Sequence, residues 1–423
     1  MIYNTQSFLN DYQSSEPLDL SLHDHIAKIC ENVKEKGDLA LYNYNKQFDQ
    51  VEIAQLEIPK EEMIQAYDDL DADLKKALHH SYERIKTYQE KIRYTDGDYQ
   101  SEMYEVYRPI ESVGVYVPGG KASYPSTVLM TVTLAQVAGV KNITVVTPPQ
   151  STGIAKSVLA ACYLTGVNHI YQVGGAQSIA ALAYGTETID KVDKIVGPGN
   201  QYVAYAKKLL YGIVGIDQIA GPSEIALIID ASCDIDAVAY DVLAQAEHDE
   251  LARTFVISTD HSLLSELSEK IQYLSERTER QSILKESLKN HHYLIHTNHF
   301  DESCQVMNEI APEHASIQTK SPEDYVPYIH YVGSLFLGSF SPEVMGDYIA
   351  GPSHVLPTNR TARFQHGLSV NDFLTKHTVI HLSQQTFKET YVDASQIAQE
   401  EQLYNHRHSL LIRKGGLQDD TNE

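Results

Sequence analysis

The sequence predicts an α/β protein with two parallel sheets, preceded by a helical region. Three observations predict this fold class. Apolar residues before about residue 112 recur at helical spacing, short β-rich runs then alternate with helical stretches in two successive blocks, and this alternation fades after about residue 369. Alternating strands and helices are typical of a parallel sheet whose faces are covered by helices.

The helical region is predicted from two apolar stripes. Ile26, Ile29, Cys30 and Val33 stand at positions i, i+3, i+4 and i+7, and Gly37 follows where a helix C-terminal cap belongs. A second stripe, on a longer helix, consists of Leu74, Ala77, Leu78, Tyr82 and Ile85.

The first alternating block places small residues at the ends of its strands. Its predicted strands are Val113–Val117, Ile143–Val146, His169–Val173 and Lys194–Val196. Ligands bind beyond the carboxyl ends of parallel strands, and the glycines at 174–175 and 197–199 would let backbone amides approach a phosphate there. The G-x-G-x-x-G fingerprint is absent, however, and such turns occur in any α/β protein, so nucleotide binding stays open at this point.

The second block repeats the pattern. It comprises a strand at Glu224–Ile229, a helix at about Asp234–Glu247, a strand at Thr254–Ser258, helices through Leu288 and short strands to Leu337. Two blocks of similar construction indicate two related halves, although no close internal sequence repeat is present.

Composition excludes several classes of partner. The 33 Lys and Arg against 57 Asp and Glu give a net charge of −24, whereas nucleic acids and anionic membranes need a basic surface. No apolar run is long enough to span a membrane, and the N-terminus lacks the features of a secretory signal. The cysteines are widely spaced, as expected for core thiols in a reducing compartment. We therefore expect a soluble cytoplasmic protein that binds neither nucleic acid nor membrane. The cysteines are Cys30, Cys162, Cys233 and Cys304.

Two segments carry side chains suited to catalysis or metal binding. In LAQAEHDE, Gln245 and His248 are one helical turn apart and could bind one ion, or His248 could simply interact with the helix dipole. In IAPEH, Glu313 and His314 could form a general acid/base pair if the backbone turns there, or a solvent-exposed turn.

Asp347 precedes a glycine-proline turn, where loop residues commonly cap a helix or line a cleft. These residues alone leave open an enzyme that uses a metal or a nucleotide and a small-molecule binding module. Convergence of Gln245, His248, Glu313, His314 and Asp347 on one cleft would favour the enzyme.

Eight motifs, taken in order, resemble the histidinol dehydrogenase family from about Ser112 to Arg413. A set of eight is far more specific than any one motif. They are VGVYVPGGKASYPSTVLM, QVGGAQSIAALAYGTE, KIVGPGNQYVAYAK, DQIAGPSE, LAQAEHD, APEHA, GDYIAGPSHVLPT and EQLYNH.

The resemblance implies a homodimeric enzyme that oxidises L-histidinol through L-histidinaldehyde to L-histidine with two NAD⁺, the last step of histidine biosynthesis. It implies Glu313 and His314 as the acid/base pair and one Zn²⁺ per active site. The implied zinc ligands are Gln245, His248, Asp347 and, from the partner subunit, His406.

The resemblance also implies ligand contacts and domain boundaries. The implied substrate-binding residues are Ser223, Gln245, His248, His314, Asp347, His354, Glu401 and His406, of which Glu401 and His406 come from the partner subunit. The implied NAD⁺ contacts are Tyr116, Gln177 and Asn200. The implied domains are an N-terminal extension (1–24), a discontinuous Rossmann-like domain carrying the zinc and acid/base residues (25–111 with 225–368), a Rossmann-like NAD⁺-contacting domain (112–224) and an exchanged C-terminal arm (369–423).

The chain departs from the family at positions outside the implied ligand set. Leu134 and Gln136 stand where the family commonly has a proline and a lysine, and Asn359 and Arg360 follow GPSHVLPT where glycines are frequent. Two alternatives are a relative that oxidises another primary alcohol with the same metal and NAD⁺, and a catalytically silent zinc-binding dimer. The matches at Glu401 and His354 favour histidinol over another alcohol, and the intact acid/base pair disfavours a silent dimer.

Overall fold

The structure is a computed structural model that describes residues 2–12, 20–119 and 123–414. Its strands are β1 (Ile2–Asn4), β2 (Met103–Pro109), β3 (Ser112–Tyr116), β4 (Asn142–Thr147), β5 (His169–Gln172), β6 (Lys194–Val196), β7 (Gly215–Ile216), β8 (Glu224–Ile229), β9 (Arg253–Ser258), β10 (His292–His296), β11 (His314–Gln318), β12 (Ser334–Leu337) and β13 (Leu374–Ile380).

The α-helices lie between these strands along the chain, except for the last two, which follow β13. They are α1 (Thr5–Asp11), α2 (Leu20–Lys36), α3 (Asp38–Tyr44), α4 (Lys60–Asp68), α5 (Ala72–Ile92), α6 (Pro125–Ala138), α7 (Lys156–Leu164), α8 (Gly175–Tyr184), α9 (Gln201–Leu210), α10 (Ile235–Ala246), α11 (His261–Ser275), α12 (Gln281–His291), α13 (Phe300–Ile310), α14 (Glu343–Tyr348), α15 (Gln384–Glu400) and α16 (Tyr404–Lys414).

The chain divides into two compact units. The first comprises Met1–Arg93 and Ile110–Phe373, and the second comprises Tyr94–Pro109 and Leu374–Glu423. The first unit contains a five-stranded sheet in the order β5-β4-β3-β6-β7 and a six-stranded sheet in the order β1-β10-β9-β8-β11-β12, and every strand pair in both is parallel. The predicted α/β class with two parallel sheets is thus confirmed.

The N-terminal helices pack mainly on helices of the five-stranded sheet. Helix α2 contacts α8 and α9, α4 contacts α7, and α5 contacts α6. The predicted stripe on α2 is buried, and Gly37 follows the helix with a positive φ of 54°. On α5 the predicted stripe is buried from Leu78 onward, whereas Leu74 and Ala77, nearer the start of the helix, are exposed.

The six-stranded sheet is covered on both faces. Along β8, Ile225 and Leu227 join a core with α10 and α11, whereas Ala226 and Ile228 join a separate core with Phe8 of α1 and with α13. Successive strand residues point to opposite faces, so this continuous apolar run is what a doubly covered strand requires.

One segment, residues 217–223, leads from the last strand of the five-stranded sheet directly into β8. It therefore connects the carboxyl edge of the five-stranded sheet to the amino edge of the six-stranded sheet. Tyr116 and Gly197 lie at the first of these edges, and Glu224 and His314 lie at the second.

The second unit has a different construction. Strands β2 and β13 pair antiparallel from Leu374 opposite Pro109 to Ile380 opposite Met103, and α15 packs against α16. The loss of the strand–helix rhythm predicted after about residue 369 is confirmed, while residues 415–423 of the predicted arm lie outside the described part of the chain.

Three further expectations can be compared with the fold. All four cysteines are free thiols, as predicted. Within the described ranges, no helix combines the length and apolar character needed to cross a membrane. The domain boundaries stay a prediction, although residues 2–4 of the expected extension form the edge strand of the six-stranded sheet.

Candidate active site

Glu313 and His314 are held side by side at the start of β11. Helix α13 ends at Ala311, whose φ of 46° turns the chain, and a bend follows at Glu313. Both side chains are buried, with 7% and 5% of their surface exposed, so the alternative of a solvent-exposed turn does not hold.

Both side chains bind the same residue, Glu224. The Glu224 backbone N–H donates to Glu313 Oε2 at 3.0 Å, and His314 Nδ1 lies 3.1 Å from the Glu224 carbonyl oxygen. A carbonyl oxygen only accepts hydrogen bonds, so Nδ1 of His314 carries the proton and Nε2 of the neutral ring is left as the base.

His314 is suited to accept a proton. Burial lowers the pKa of its imidazole, and the nearby Asp347 carboxylate acts in the opposite direction. Its Nε2 lies 3.9 Å from Asp347 Oδ1. The ring is therefore neutral at ordinary pH, and a carboxylate stands near the nitrogen that would become charged.

Glu313 is a carboxyl group with a strongly altered proton affinity. Burial raises its pKa well above that of an ordinary glutamate, while hydrogen bonds from the Glu224 N–H and the Ser223 side chain lower it. A raised carboxyl pKa brings the group toward the range in which it can both take and return a proton near neutral pH.

His354 and His248 share the electrostatic environment of this pair. Nδ1 of the buried His354 lies 3.2 Å from the Asp347 carbonyl oxygen, and burial lowers the His354 pKa. The charge of His248 contributes to lowering the pKa of both His314 and His354. The structure therefore brings His248, His314, Asp347 and His354 together.

Gln245 lies in the last turn of α10, the helix that contacts α14 and hence the element carrying Asp347. Its side chain is fully buried, yet neither Oε1 nor Nε2 has a hydrogen-bond partner. A buried amide left unpaired costs roughly 1–3 kcal/mol, so these atoms are suited to a ligand or an ion. His248, just past the helix end, is exposed.

The donor set fits a metal ion only as part of a larger set. Gln245, His248 and Asp347 offer the nitrogen and oxygen donors that Zn²⁺ accepts. Within the described residues, however, no three His, Cys, Asp or Glu side chains of one chain are arranged to hold a metal. The predicted ligand set includes the amide of Gln245 and a histidine of a partner subunit, which lie outside such a one-chain group, so this set stays a prediction.

Glu401 and His406 lie in the second unit. Glu401 caps the C-terminus of α15 and His406 belongs to α16, and both are exposed. Their predicted role depends on a partner subunit, and they stay a prediction.

The implied NAD⁺ contacts lie at the carboxyl edge of the five-stranded sheet. Tyr116 ends β3, and its hydroxyl accepts from the Gly175 N–H at 3.4 Å. Gln177 is buried in the first turn of α8, and Asn200 caps α9 by accepting from two backbone N–H groups of its first turn. This edge includes the switch point beside β3, where nucleotides bind in open α/β sheets.

A buried ion pair supports the loop after β6, the GPGN segment at 197–200. Lys207 Nζ donates to the Gly197 carbonyl oxygen at 2.6 Å and to Asp217 Oδ1 at 2.7 Å, while the Gly197 N–H donates to Asp217 Oδ2 at 2.7 Å. Gly197 has a φ of 109°, and a Cβ there would stand 2.2 Å from the Tyr116 carbonyl oxygen. Only glycine fits this position.

Sequence reasoning missed three carboxyl groups beside the site: the buried Glu224 and Glu343 and the half-buried Asp241. Burial raises the pKa of Glu224 to about 7 and that of Asp241 to about 6, and it raises the pKa of Glu343 well above the ordinary value. Glu343 Oε2 lies 3.8 Å from His314 Nδ1. A carboxylate beginning the apolar run EIALII, and one four residues before Asp347, were the available signals.

Comparison with known proteins shows that the chain is similar to histidinol dehydrogenases over nearly its whole length. A family model for histidinol dehydrogenase matches residues 13–414. A histidinol dehydrogenase of Staphylococcus saprophyticus is 64% identical over 413 residues, covering 98% of each chain, and one of Staphylococcus epidermidis is 63% identical over 412 residues, covering 97% of this chain and 100% of its own. A crystal structure of histidinol dehydrogenase from Elizabethkingia anophelis is 33% identical, with a TM-score of 0.93 and coverage of 97% of this chain and 96% of that one.

Proposed function

Since the chain belongs to the histidinol dehydrogenase family, we propose that it oxidises L-histidinol through L-histidinaldehyde to L-histidine, using two NAD⁺ and one Zn²⁺ per active site. This four-electron oxidation would be the last step of histidine biosynthesis. The observation that carries the proposal is that one residue, Glu224, binds both groups through its backbone: its N–H binds the Glu313 carboxyl and its C=O binds the His314 imidazole.

Residues of the chain would hold both cofactors. Gln245, His248 and Asp347, together with His406 of the partner subunit, would bind Zn²⁺. Residues at the carboxyl edge of the five-stranded sheet would contact NAD⁺, namely Tyr116, Gln177 and Asn200. When bound, Zn²⁺ would anchor the imidazole and amine of the substrate, and NAD⁺ would accept hydride.

The first oxidation depends on His314. Its Nε2 takes the hydroxyl proton of histidinol while the carbon loses hydride, which gives the aldehyde. Three features support this role: a neutral ring, a proton held on Nδ1 by the Glu224 carbonyl, and a carboxylate of Asp347 near the imidazolium that forms. The aldehyde must stay bound, and Ser223 and His354 would help to retain it.

The second oxidation depends on Glu313. Its carboxylate takes a proton from the water that adds to the aldehyde carbon, and the resulting hydrate then loses hydride to give histidine. The raised pKa of Glu313 supports this role, because a stronger base is needed to activate water than an ordinary carboxylate provides.

We also propose a homodimer in which the second unit of one chain completes the active site of the other. Of the described residues in that unit, only Val106, Ser395 and Ala398 are buried, so it has little core of its own. Exposed apolar residues such as Ile397 and Ile412 would be covered in such a dimer. The cytoplasmic location stays a prediction.

The first experiment is to measure NADH formed per L-histidinol consumed, with and without a chelator. About two NADH per substrate, lost on chelation and restored by Zn²⁺, is the expected result. Failure of the zinc-loaded protein to form NADH from histidinol would favour a relative that oxidises another primary alcohol. One NADH per substrate would mean that the aldehyde escapes, and would contradict the role of Glu313.

A further inference from the structure

Glu224 is a fully buried residue whose side chain has no part in the proposed chemistry. Its two carboxylate oxygens accept from different segments: Oε1 from Arg253 Nη1 at 3.3 Å and Oε2 from the Asn359 backbone N–H at 3.2 Å. No part of the Glu224 side chain is exposed, and only 12% of the Arg253 side chain is.

The partners of Glu224 are themselves fixed to one another. Arg253 Nη1 also donates to Asn359 Oδ1 at 2.9 Å, and the Arg253 backbone N–H donates to the Ser223 carbonyl oxygen at 2.9 Å. Asn359 has a φ of 52°, which is uncommon for a residue with a side chain. The Glu224 carboxylate therefore lies where three segments meet: strand β9, the segment before β8 and the segment at Asn359.

We propose that Glu224 is a positioning residue for both oxidation steps: its carboxylate, held by Arg253 and the Asn359 N–H, sets the position of its own backbone N–H and C=O, which in turn orient Glu313 and His314. The proposal rests on the proposed function. The Glu224 N–H binds the base of the second step, and the Glu224 C=O binds the base of the first. Misplacement of a catalytic group by about 1 Å can slow a reaction by roughly 100-fold.

Stability alone does not account for this ion pair. Burying two charges costs desolvation free energy, and replacing such pairs by apolar side chains is often neutral or stabilising. A carboxylate with two acceptor oxygens, however, can hold the backbone of its own residue in place from two directions at once. Positioning therefore explains the buried pair where a contribution to folding does not.

The test is Glu224→Gln, which keeps the size of the side chain but replaces one acceptor oxygen with a donor. The amide can then satisfy Arg253 or the Asn359 N–H but not both. We expect kcat to fall about 10-fold with histidinol and by a similar factor with supplied histidinaldehyde, because the backbone of one residue contacts both bases. The KM values for substrate and NAD⁺ should change less than about twofold.

Glu309→Gln is the matched control. Glu309 is a half-exposed carboxylate that also pairs with arginines, at 3.0 Å from Arg360 Nη2 and 3.2 Å from Arg363 Nη2, and neither arginine binds the acid/base pair. The same chemical change there should leave kcat unchanged. A Glu224→Gln protein that is folded and as fast as the wild type in both steps would overturn the proposal.

A double variant separates positioning from folding. If Glu224→Gln lowers the melting temperature, adding Arg253→Met removes the buried positive charge that the amide no longer neutralises and should recover stability. We expect kcat to stay low in the double variant, because the backbone of residue 224 is still not held. Recovery of kcat together with the melting temperature would reduce Glu224 to a structural role and overturn the proposal.

A measurement without substrate distinguishes this proposal from the proposed function. The ¹⁵N NMR spectrum of histidine-labelled protein, with His314 assigned from a His314→Asn variant, reports which ring nitrogen carries the proton. We expect the Nδ1–H form in the wild type and a mixture of the two forms in Glu224→Gln. An unchanged Nδ1–H form in the variant would contradict the proposal, even if histidinol proved not to be the substrate.

Discussion

At the scale of single residues, the chemistry of Glu313 and His314 comes from burial and from one shared hydrogen-bonding partner. Burial favours the uncharged form of both side chains: it raises the pKa of the Glu313 carboxyl and lowers the pKa of the His314 imidazole. The backbone of Glu224 then supplies a donor to the carboxyl and an acceptor to the imidazole. Two adjacent side chains are therefore oriented by the same residue, one through its N–H and the other through its C=O.

The role of Glu313 can be tested with Glu313→Gln. We expect the first oxidation to be largely intact and oxidation of the aldehyde to slow by about 100-fold or more, because the variant has no carboxylate to activate water. Rapid-mixing measurements of NADH, started separately with histidinol and with histidinaldehyde, report the two steps. An unchanged rate with supplied aldehyde would rule out this assignment.

The pH dependence of the aldehyde step provides a second test of the same residue. Glu313 acts as a base only when ionised, and its raised pKa means that it ionises at higher pH than an ordinary glutamate. The rate of the aldehyde step should therefore rise with pH through a range above that of a free carboxyl group, and Glu313→Gln should lose this rise. Glu309→Gln, with its carboxylate outside the site, should keep the wild-type profile.

Some residues of the candidate site could be identified from the sequence alone, and others could not. Glu313, His314, Gln245, His248 and Asp347 stand in short motifs of acid, imidazole and amide groups, so the sequence identifies them as candidates, while their roles were expected only from the family resemblance. The role of Glu224 could not, because its contacts come from Arg253 and Asn359, which are distant along the chain and form no local pattern with it.

At the scale of elements, the loops at the strand ends are held by buried ion pairs. Lys207 and Asp217, with side chains 4% and 3% exposed, bind the N–H and the C=O of Gly197 between them. This arrangement fixes the loop that leads into α9 and its cap, Asn200. A similar arrangement, a buried ion pair beside a residue whose backbone N–H and C=O are both hydrogen-bonded, occurs at Glu224.

Lys207→Met tests whether this loop contacts NAD⁺. Loss of the ammonium leaves the Gly197 carbonyl without this donor and the Asp217 carboxylate without its cation, so the loop should shift. We expect the KM for NAD⁺ to rise about 10-fold or more, with a much smaller change in the KM for histidinol. Lys208→Met makes the same change at the neighbouring exposed position and should alter neither value. Equal changes in both KM values for Lys207→Met would contradict a specific role in NAD⁺ binding.

Strands β3–β6, β8 and β9 lie within one residue of their predicted positions, since apolar runs and turn residues are local signals, whereas β1, β2 and β7 were not predicted. The sheet edge at which the candidate acid/base pair lies was not predicted either. The rule that ligands bind at carboxyl ends agrees with the position of Tyr116 and Gly197, whereas Glu224 and His314 lie at the amino edge of the other sheet. Segment 217–223 connects the two edges, and such a connection depends on tertiary packing that no periodicity encodes.

At the scale of the whole molecule, the second unit stands out by its lack of a core. Its strands pair residues 103–109 with residues 374–380, a long-range antiparallel pairing that no local pattern could predict. The end of the strand–helix rhythm was predictable from the sequence. Helix α16 has no buried residue among those described, and Tyr404 and Ile412 are 68% and 67% exposed. A unit of this kind is stable only when it packs against other protein surface.

Whether that surface belongs to a partner subunit can be tested by mixing two inactive variants. His406→Ala removes the zinc ligand that we place on the second unit, and Glu313→Gln removes the base on the first. If each active site combines the first unit of one chain with the second unit of the other, a mixed dimer contains one site with both lesions and one intact site. Unfolding and refolding an equal mixture should then restore about a quarter of wild-type conversion of histidinol to histidine, since about half of the dimers are mixed.

The two variants refolded separately are the controls, and both should stay inactive in the overall conversion. If the second unit served its own chain instead, every site in the mixture would carry one lesion and no activity would return. The yield of the mixed dimer, measured with two different affinity tags, must therefore accompany the assay. Mixed dimers present in full yield but without activity would contradict the shared site, because each chain would then need its own His406 as well as its own Glu313.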